Sequence, residues 1–193
     1  MTAVGGIVLA AGAGARFRAA GGGIKVLARS GGRSLLEIAI AAIADAPLAD
    51  RVVVVGAEAE HVLSASDLHG VRAVTNFAWD LGMASSLQTG LAALSEECEA
   101  ALIVLADAPH LHAEAVRRVA SAARRDALVS AAYAGRRGHP VAIGRDLWAR
   151  IPTDGELGGK ALGEPALLVE CGDLGEPGDA DTPDLVPSIS PSP

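Results

Sequence analysis

The sequence predicts an α/β fold of three layers around a mostly parallel central sheet, and three observations carry that expectation. Apolar runs without polar alternation, such as Arg51–Val55 and Ala101–Leu105, recur between segments of helical period, as strands covered on both faces require. The first run, Gly6–Ala11, breaks into Gly12-Ala13-Gly14, the strand-to-loop junction where such sheets hold ligands. A hydrophobic content of 50% over 193 residues is ample for one buried core.

Each element has its own signal, taken in chain order. Gly6–Ala11 reads as a buried first strand, and Ser34-Leu-Leu-Glu37 as a capping box opening a helix to Ala46. Strands follow at Arg51–Val55 and Arg72–Val74. Ser85-Ser-Leu-Gln88 offers a second capping box before a helix towards Glu99. After the strand Ala101–Leu105, a helix over Ala113–Arg125 leads to strands at Leu128–Tyr133, Pro140–Ile143 and Leu167–Cys171. Such alternation implies right-handed crossovers, with ligands outside the carboxyl ends of the strands. One domain is expected over residues 1–185, and the Ser/Pro-rich 186–193 reads as a disordered tail.

Charge narrows the ligand. The chain carries −7 overall, yet Met1–Leu36 holds five cations (Arg16, Arg18, Lys25, Arg29, Arg33) and no carboxylate. Cations gathered beside glycines suit a small polyanion such as a nucleoside triphosphate. The acidic total and 3% aromatic content argue against nucleic acid. No apolar run is long enough for a membrane span, and no basic leader precedes Ile7–Ala11, so a cytoplasmic protein is expected. Cys98 and Cys171 lack metal-site spacing and read as buried thiols. The glycine loop is not a dinucleotide fingerprint, because Phe17 stands at the third glycine position and Glu37 falls within a helix. It is not a Walker loop either, since Lys25 lies thirteen residues beyond Gly12 and precedes Val26. What remains is a different triphosphate loop, with small residues that admit phosphates closely and with Arg16 and Lys25 as cations.

The string Leu9-Ala-Ala-Gly-Ala-Gly-Ala-Arg-Phe17 with a downstream Lys25 resembles the LAAGxSxRMGxxK signature of the nucleotidyltransferases, specifically the molybdenum cofactor cytidylyltransferase branch. Asn76-Phe-Ala-Trp-Asp-Leu-Gly-Met-Ala-Ser-Ser-Leu87, Leu105-Ala-Asp-Ala-Pro109, Gly138-His-Pro-Val141 and Asp179-Ala-Asp-Thr-Pro-Asp-Leu185 resemble its NPxWxxGMSSSL, LADxP, GHPV and DxDTPEDL in order. The resemblance implies a Rossmann-like nucleotidyltransferase fold and Mg²⁺-dependent transfer of CMP from CTP to the phosphate of molybdopterin. A molybdenum hydroxylase or its maturation factor would then receive the product. Transfer from GTP, transfer to another phosphorylated or sugar acceptor, and a non-catalytic cofactor carrier are the alternatives. Cytosine over guanine rests on Ala11, where the guanylyl branch carries Gly.

Roles follow from the same blocks. Leu9, Ala10, Ala11, Gly12, Ala13, Gly14 and Lys25 would bind nucleotide, with Gly82, Ser85 and Ser86 around the base or ribose. Arg16, Lys25 and Asp107 would be catalytic. Asp107, emerging at the sheet's carboxyl edge, and Asp181 would hold Mg²⁺. Asp107 could instead cap a helix opened by Pro109, Asp181 could serve an ordinary turn, and one of the two serines could be a plain cap. His139, read as a Gly-His-Pro turn entering a strand, and Glu156 are implied at the acceptor; a structural histidine is the alternative. The chain departs from the pattern at Phe17, at Arg18 and in the Ala-Ala-Gly-Gly-Gly insertion at 19–23, which predicts a mobile Lys25 without ligand.

Overall fold

The computed structural model describes residues 2–155, 162 and 166–187; Glu156 and the end of the expected tail lie outside them. The first strand, β1 (Val4–Ala10), is buried along its whole length, as its unbroken apolar run requires. Then come α1 (Ala15–Ala19), the short hairpin strands β2 (Arg29–Ser30) and β3 (Arg33–Ser34), α2 (Leu35–Ala44), β4 (Asp50–Val55), α3 (Ala59–Ser64), β5 (Arg72–Thr75) and α4 (Met83–Ala93). The second half holds β6 (Ala100–Leu105), α5 (Ala113–Ala122), β7 (Leu128–Tyr133), β8 (Arg136–Gly144) and β9 (Leu167–Glu170).

Seven strands form one sheet in the order β5-β4-β1-β6-β8-β7-β9. All neighbours are parallel except β8, which runs antiparallel to both β6 and β7. The exception follows from a hairpin: Ala134 and Gly135 both take positive φ (51° and 76°), the two-residue turn that matches strand twist. Side chains alternate across the sheet. Val8 and Ala10 of β1 join a cluster with Ile40 and Ile43 of α2 and Val116 and Val119 of α5. Ile7 and Leu9 join Leu87 and Leu91 of α4 on the opposite face. These are the three expected layers. Order reverses at β1, with β4 and β5 on one side and β6 on the other, so the crevice above β1 and β6 is the switch point where such sheets bind ligands.

Helix ends depart from expectation in one instructive place. The capping box at Ser34 forms as read: Ser34 Oγ accepts from the Glu37 amide at 3.1 Å and the Glu37 carboxylate from the Ser34 amide at 2.7 Å, an arrangement contributing about 1 kcal/mol. The second capping box does not form. α4 begins at Met83 behind Gly82, which has φ 102° and no side-chain cap, and it ends at Ala93 rather than near Glu99. Ser85 and Ser86 therefore lie inside the helix.

Candidate active site

Everything at the switch point hangs from two strand ends. β1 leaves the sheet at Ala11, and the chain turns through Gly14, whose φ of 62° puts it in the left-handed region. A side chain at Gly14 would also strike Lys25, since a Cβ there would lie 2.8 Å from the Lys25 Cβ. The loop and the lysine stem are thus packed against each other. α1 is pinned by Phe17, which is buried, and the Gly22 amide donates to the Phe17 carbonyl at 3.0 Å. The glycine insertion wraps that ring, and Lys25 is held rather than loose.

Asp107 follows β6, whose pairing with β1 continues through a bond from the Ala106 amide to the Leu9 carbonyl at 3.0 Å. Lys25 Nζ donates to Asp107 Oδ2 at 2.6 Å and to Asp181 Oδ1 at 3.1 Å, while Arg16 donates to Asp181 Oδ2 at 2.6 Å. Four residues from three separate blocks of the sequence thereby meet at one point. Asp107 caps no helix: α5 begins at Ala113 with His112 as its cap. Asp181 is placed by the chain returning alongside it, with the Ala180 amide on the Asp107 carbonyl at 2.9 Å and the His110 amide on the Pro177 carbonyl at 3.0 Å. Burial acts most strongly on the Lys25 ammonium and disfavours its charge. The hydrogen bonds and negative charges of Asp107 and then Asp181 together outweigh burial and raise its pKa above the ordinary lysine value.

Two lobes of one cleft meet at this cluster. The smaller, about 650 Å³, is lined by Leu9, Ala10, Ala11, Gly12, Ala13, Gly14, Arg16, Lys25, Gly82, Ser86, Asp107 and Asp181. Ser85 is not among its lining residues. Its hydroxyl is within 2.8 Å of the Ala78 and Gly82 carbonyls and, like Ser86 Oγ, accepts from Asn76 Nδ2 at 3.0 Å. Neither serine caps α4; both tie the Asn76–Gly82 loop to it. Buried Asn76 is the hub of that loop, a role the polar run alone does not single out. Gly56 closes the wall: a Cβ there would sit 2.6 Å from Trp79 Cβ and 2.8 Å from the Ala11 carbonyl oxygen.

The larger lobe, about 820 Å³, extends over β6, β8 and β7 to Tyr133, Arg136, Arg137 and His139. His139 does not sit in a turn before a strand as expected. β8 starts at Arg136, and the His139–Pro140 pair, joined by a cis peptide bond, lies where the pairing with β7 shifts between Ser130 and Ala131. Tyr133 donates its hydroxyl to the His139 carbonyl at 2.8 Å. Burial, and then the nearby Cys171 and Glu176, push its phenol up to about 12. Gly155, next to the undescribed Glu156, docks on the smaller lobe's rim, donating to the Leu81 carbonyl at 2.8 Å and accepting from the Ala84 amide at 2.9 Å.

Among the described residues no group of three or more His, Cys, Asp or Glu side chains forms a metal-binding cluster. Two hard carboxylates beside a phosphate-sized loop are the donor set that Mg²⁺ takes when substrate phosphates and water complete its shell.

The seven-stranded sheet and its flanking helices define an α/β protein of the nucleotidyltransferase fold. A family model for the MobA-like NTP transferase domain matches residues 6–167, and the chain belongs to that family. It is 34% identical over 190 residues to nicotine blue oxidoreductase of Paenarthrobacter nicotinovorans, covering 92% of this chain and 91% of that protein. A nucleotidyl transferase from Methanothermobacter thermautotroptrophicus superposes with a TM-score of 0.79 at 25% identity, covering 95% and 94% of the two chains. Rv0371c from Mycobacterium tuberculosis H37Rv has the same fold, with a TM-score of 0.75 at 23% identity over 88% of each chain. No described helix is long and apolar enough to cross a membrane.

Proposed function

We propose that the protein is a cytoplasmic cytidylyltransferase that moves CMP from CTP to the terminal phosphate of molybdopterin cofactor, for delivery to a molybdenum hydroxylase or its maturation factor. The observation that carries this reading is the meeting of Arg16, Lys25, Asp107 and Asp181 at the carboxyl edge of β1 and β6. CTP takes the smaller lobe, its phosphates against the 11–14 loop and its base towards Gly82 and Ser86. Ala11 lines that lobe, and its standing where the guanylyl branch carries Gly supports cytosine over guanine. Asp107 and Asp181 hold Mg²⁺, which neutralises phosphate charge when bound. The acceptor takes the larger lobe beside His139; Glu156 belongs to the same role.

An acceptor phosphate oxygen attacks the α-phosphorus, and the bond to the β-phosphate oxygen breaks in line, releasing pyrophosphate. No base is needed, because the phosphate is already ionised at neutral pH. Arg16 and Lys25 supply positive charge where negative charge grows on the leaving group, and the lobes supply alignment. Labelled pyrophosphate exchange with each of the four NTPs, Mg²⁺ and purified molybdopterin tests this reading. Exchange into CTP is expected; exchange into none of the four overturns it.

The name of the Paenarthrobacter relative favours a second reading, that of an oxidoreductase. It requires NAD(P)H oxidation without any NTP, which the nucleotidyl reading does not.

A further inference from the structure

We propose that the far end of the larger lobe is an anion-recognition subsite, built by Arg136 and Arg137, which selects an acceptor carrying a second negative group besides its reacting phosphate. The proposal rests on the acceptor assignment above and specifies what that lobe selects for. Between the Asp107 end and the β7–β8 hairpin, the lobe is floored by Leu87, Ile103, Val141 and Ile143, side chains that offer no polar recognition. Ser130 and His139 also line it, and away from Arg16, guanidinium charge enters only at the hairpin. β6 delivers Asp107, and its antiparallel neighbour β8 carries Arg136 and Arg137 beyond the point where the two strands stop pairing, at Ile103 and Val141, so both charged groups line the same lobe from different strands. An acceptor filling the lobe is therefore flat or apolar in its middle and anionic at both ends.

The arginines are well placed for that task. The tight turn at Ala134-Gly135 and buried Tyr133, bonded to the His139 carbonyl, hold the base of the hairpin. Guanidinium groups bind carboxylates and oxyanions in a fork that lysine cannot reproduce. Arg136 already pairs with Glu176 of the returning C-terminal segment, and both side chains line the lobe. That pair is open to solvent, with side chains 76% and 53% exposed, so it holds weakly and yields to a better anion. Glu176 is thus a built-in competitor that an incoming acceptor displaces.

The test uses a fused heteroaromatic ring with and without the charge: pterin-6-carboxylate against 6-hydroxymethylpterin, each titrated by its own fluorescence. The wild-type chain is expected to favour the carboxylate by at least about tenfold, the scale of one charge-assisted contact. The R136Q/R137Q variant should erase the preference at unchanged Tm and unchanged Mg²⁺–CTP affinity. R136K/R137K should keep part of it, and Glu176→Gln should widen it. Binding of neither probe, equal binding of both, or a preference that survives R136Q/R137Q overturns the proposal and leaves the pyrophosphate exchange result intact. Failed exchange with every NTP, beside a preference that tracks the arginines, removes the nucleotidyl reading and leaves the subsite standing.

Discussion

The two lobes of the cleft are built by different means. The smaller is walled mostly by backbone and small residues, Ala10 to Gly14, and its geometry is fixed by close approaches such as those at Gly14 and Gly56. The larger is walled by side chains of β6, β7 and β8 and closed by a segment from the far end of the chain. A backbone wall can meet only what every triphosphate shares, whereas a side-chain wall can be rewritten residue by residue. The first should therefore govern whether chemistry occurs, and the second which acceptor undergoes it.

The sharpest way to break this contrast is at the junction. Asp107→Ala and Lys25→Ala should each lower nucleotidyl transfer by at least ~100-fold, the scale of losing one preorganised electrostatic group; near-normal turnover in a steady-state assay would dissolve the division of labour. Next comes the backbone wall. Gly56→Ala forces a methyl against Trp79 and the Ala11 carbonyl, so about 1–3 kcal/mol of stability should be lost and CTP affinity should fall more than pterin affinity, read by thermal melting and calorimetry. Tyr133→Phe removes one hydrogen bond under the larger lobe and should lose about 1 kcal/mol, raising KM for the acceptor and sparing that for CTP. It also isolates a pH effect. The phenol titrates at 10.0 ordinarily and at about 12 in the fold, so above pH 10 the unfolded chain releases this proton first. Stability then falls up to about pH 12, and the phenylalanine variant should lack that part of the decline in alkaline melts. The smallest effect is expected at Arg18, which donates to the Ala13 carbonyl at 3.2 Å and meets Glu58 at 3.6 Å, both contacts exposed. Arg18→Ala should change Tm by what ~0.5 kcal/mol allows and leave turnover alone, in contrast to Arg16.

The buried strands were legible because their apolar runs are unbroken; β7 matches the sequence reading residue for residue at Leu128–Tyr133. The smaller lobe was legible for the same reason as its architecture: glycine and alanine after a strand have few other uses. What stayed hidden depends on geometry that composition does not encode. α1 and α3 are short and start from residues with positive φ, Gly14 and Glu58, without a side-chain cap, so no capping motif announces them. Ser85 and Ser86 matched a helix-start pattern, yet Gly82 starts the helix and the hydroxyls serve Asn76. The antiparallel β8 was shortened in the reading because Gly138 and Pro140 imitate a turn, whereas the turn is at Ala134-Gly135. Arg136 and Arg137 carry no motif in the sequence, and only their place at the start of β8, beside β6, brings them to the cleft.

Asp181 reaches its partners because residue 180 is stitched by its amide to residue 107. A chain cut after residue 155 would lack both Asp181, the second carboxylate of the cluster, and Glu176, the partner of Arg136. Loss of that one returning segment would accordingly strip both lobes of part of their wall at once.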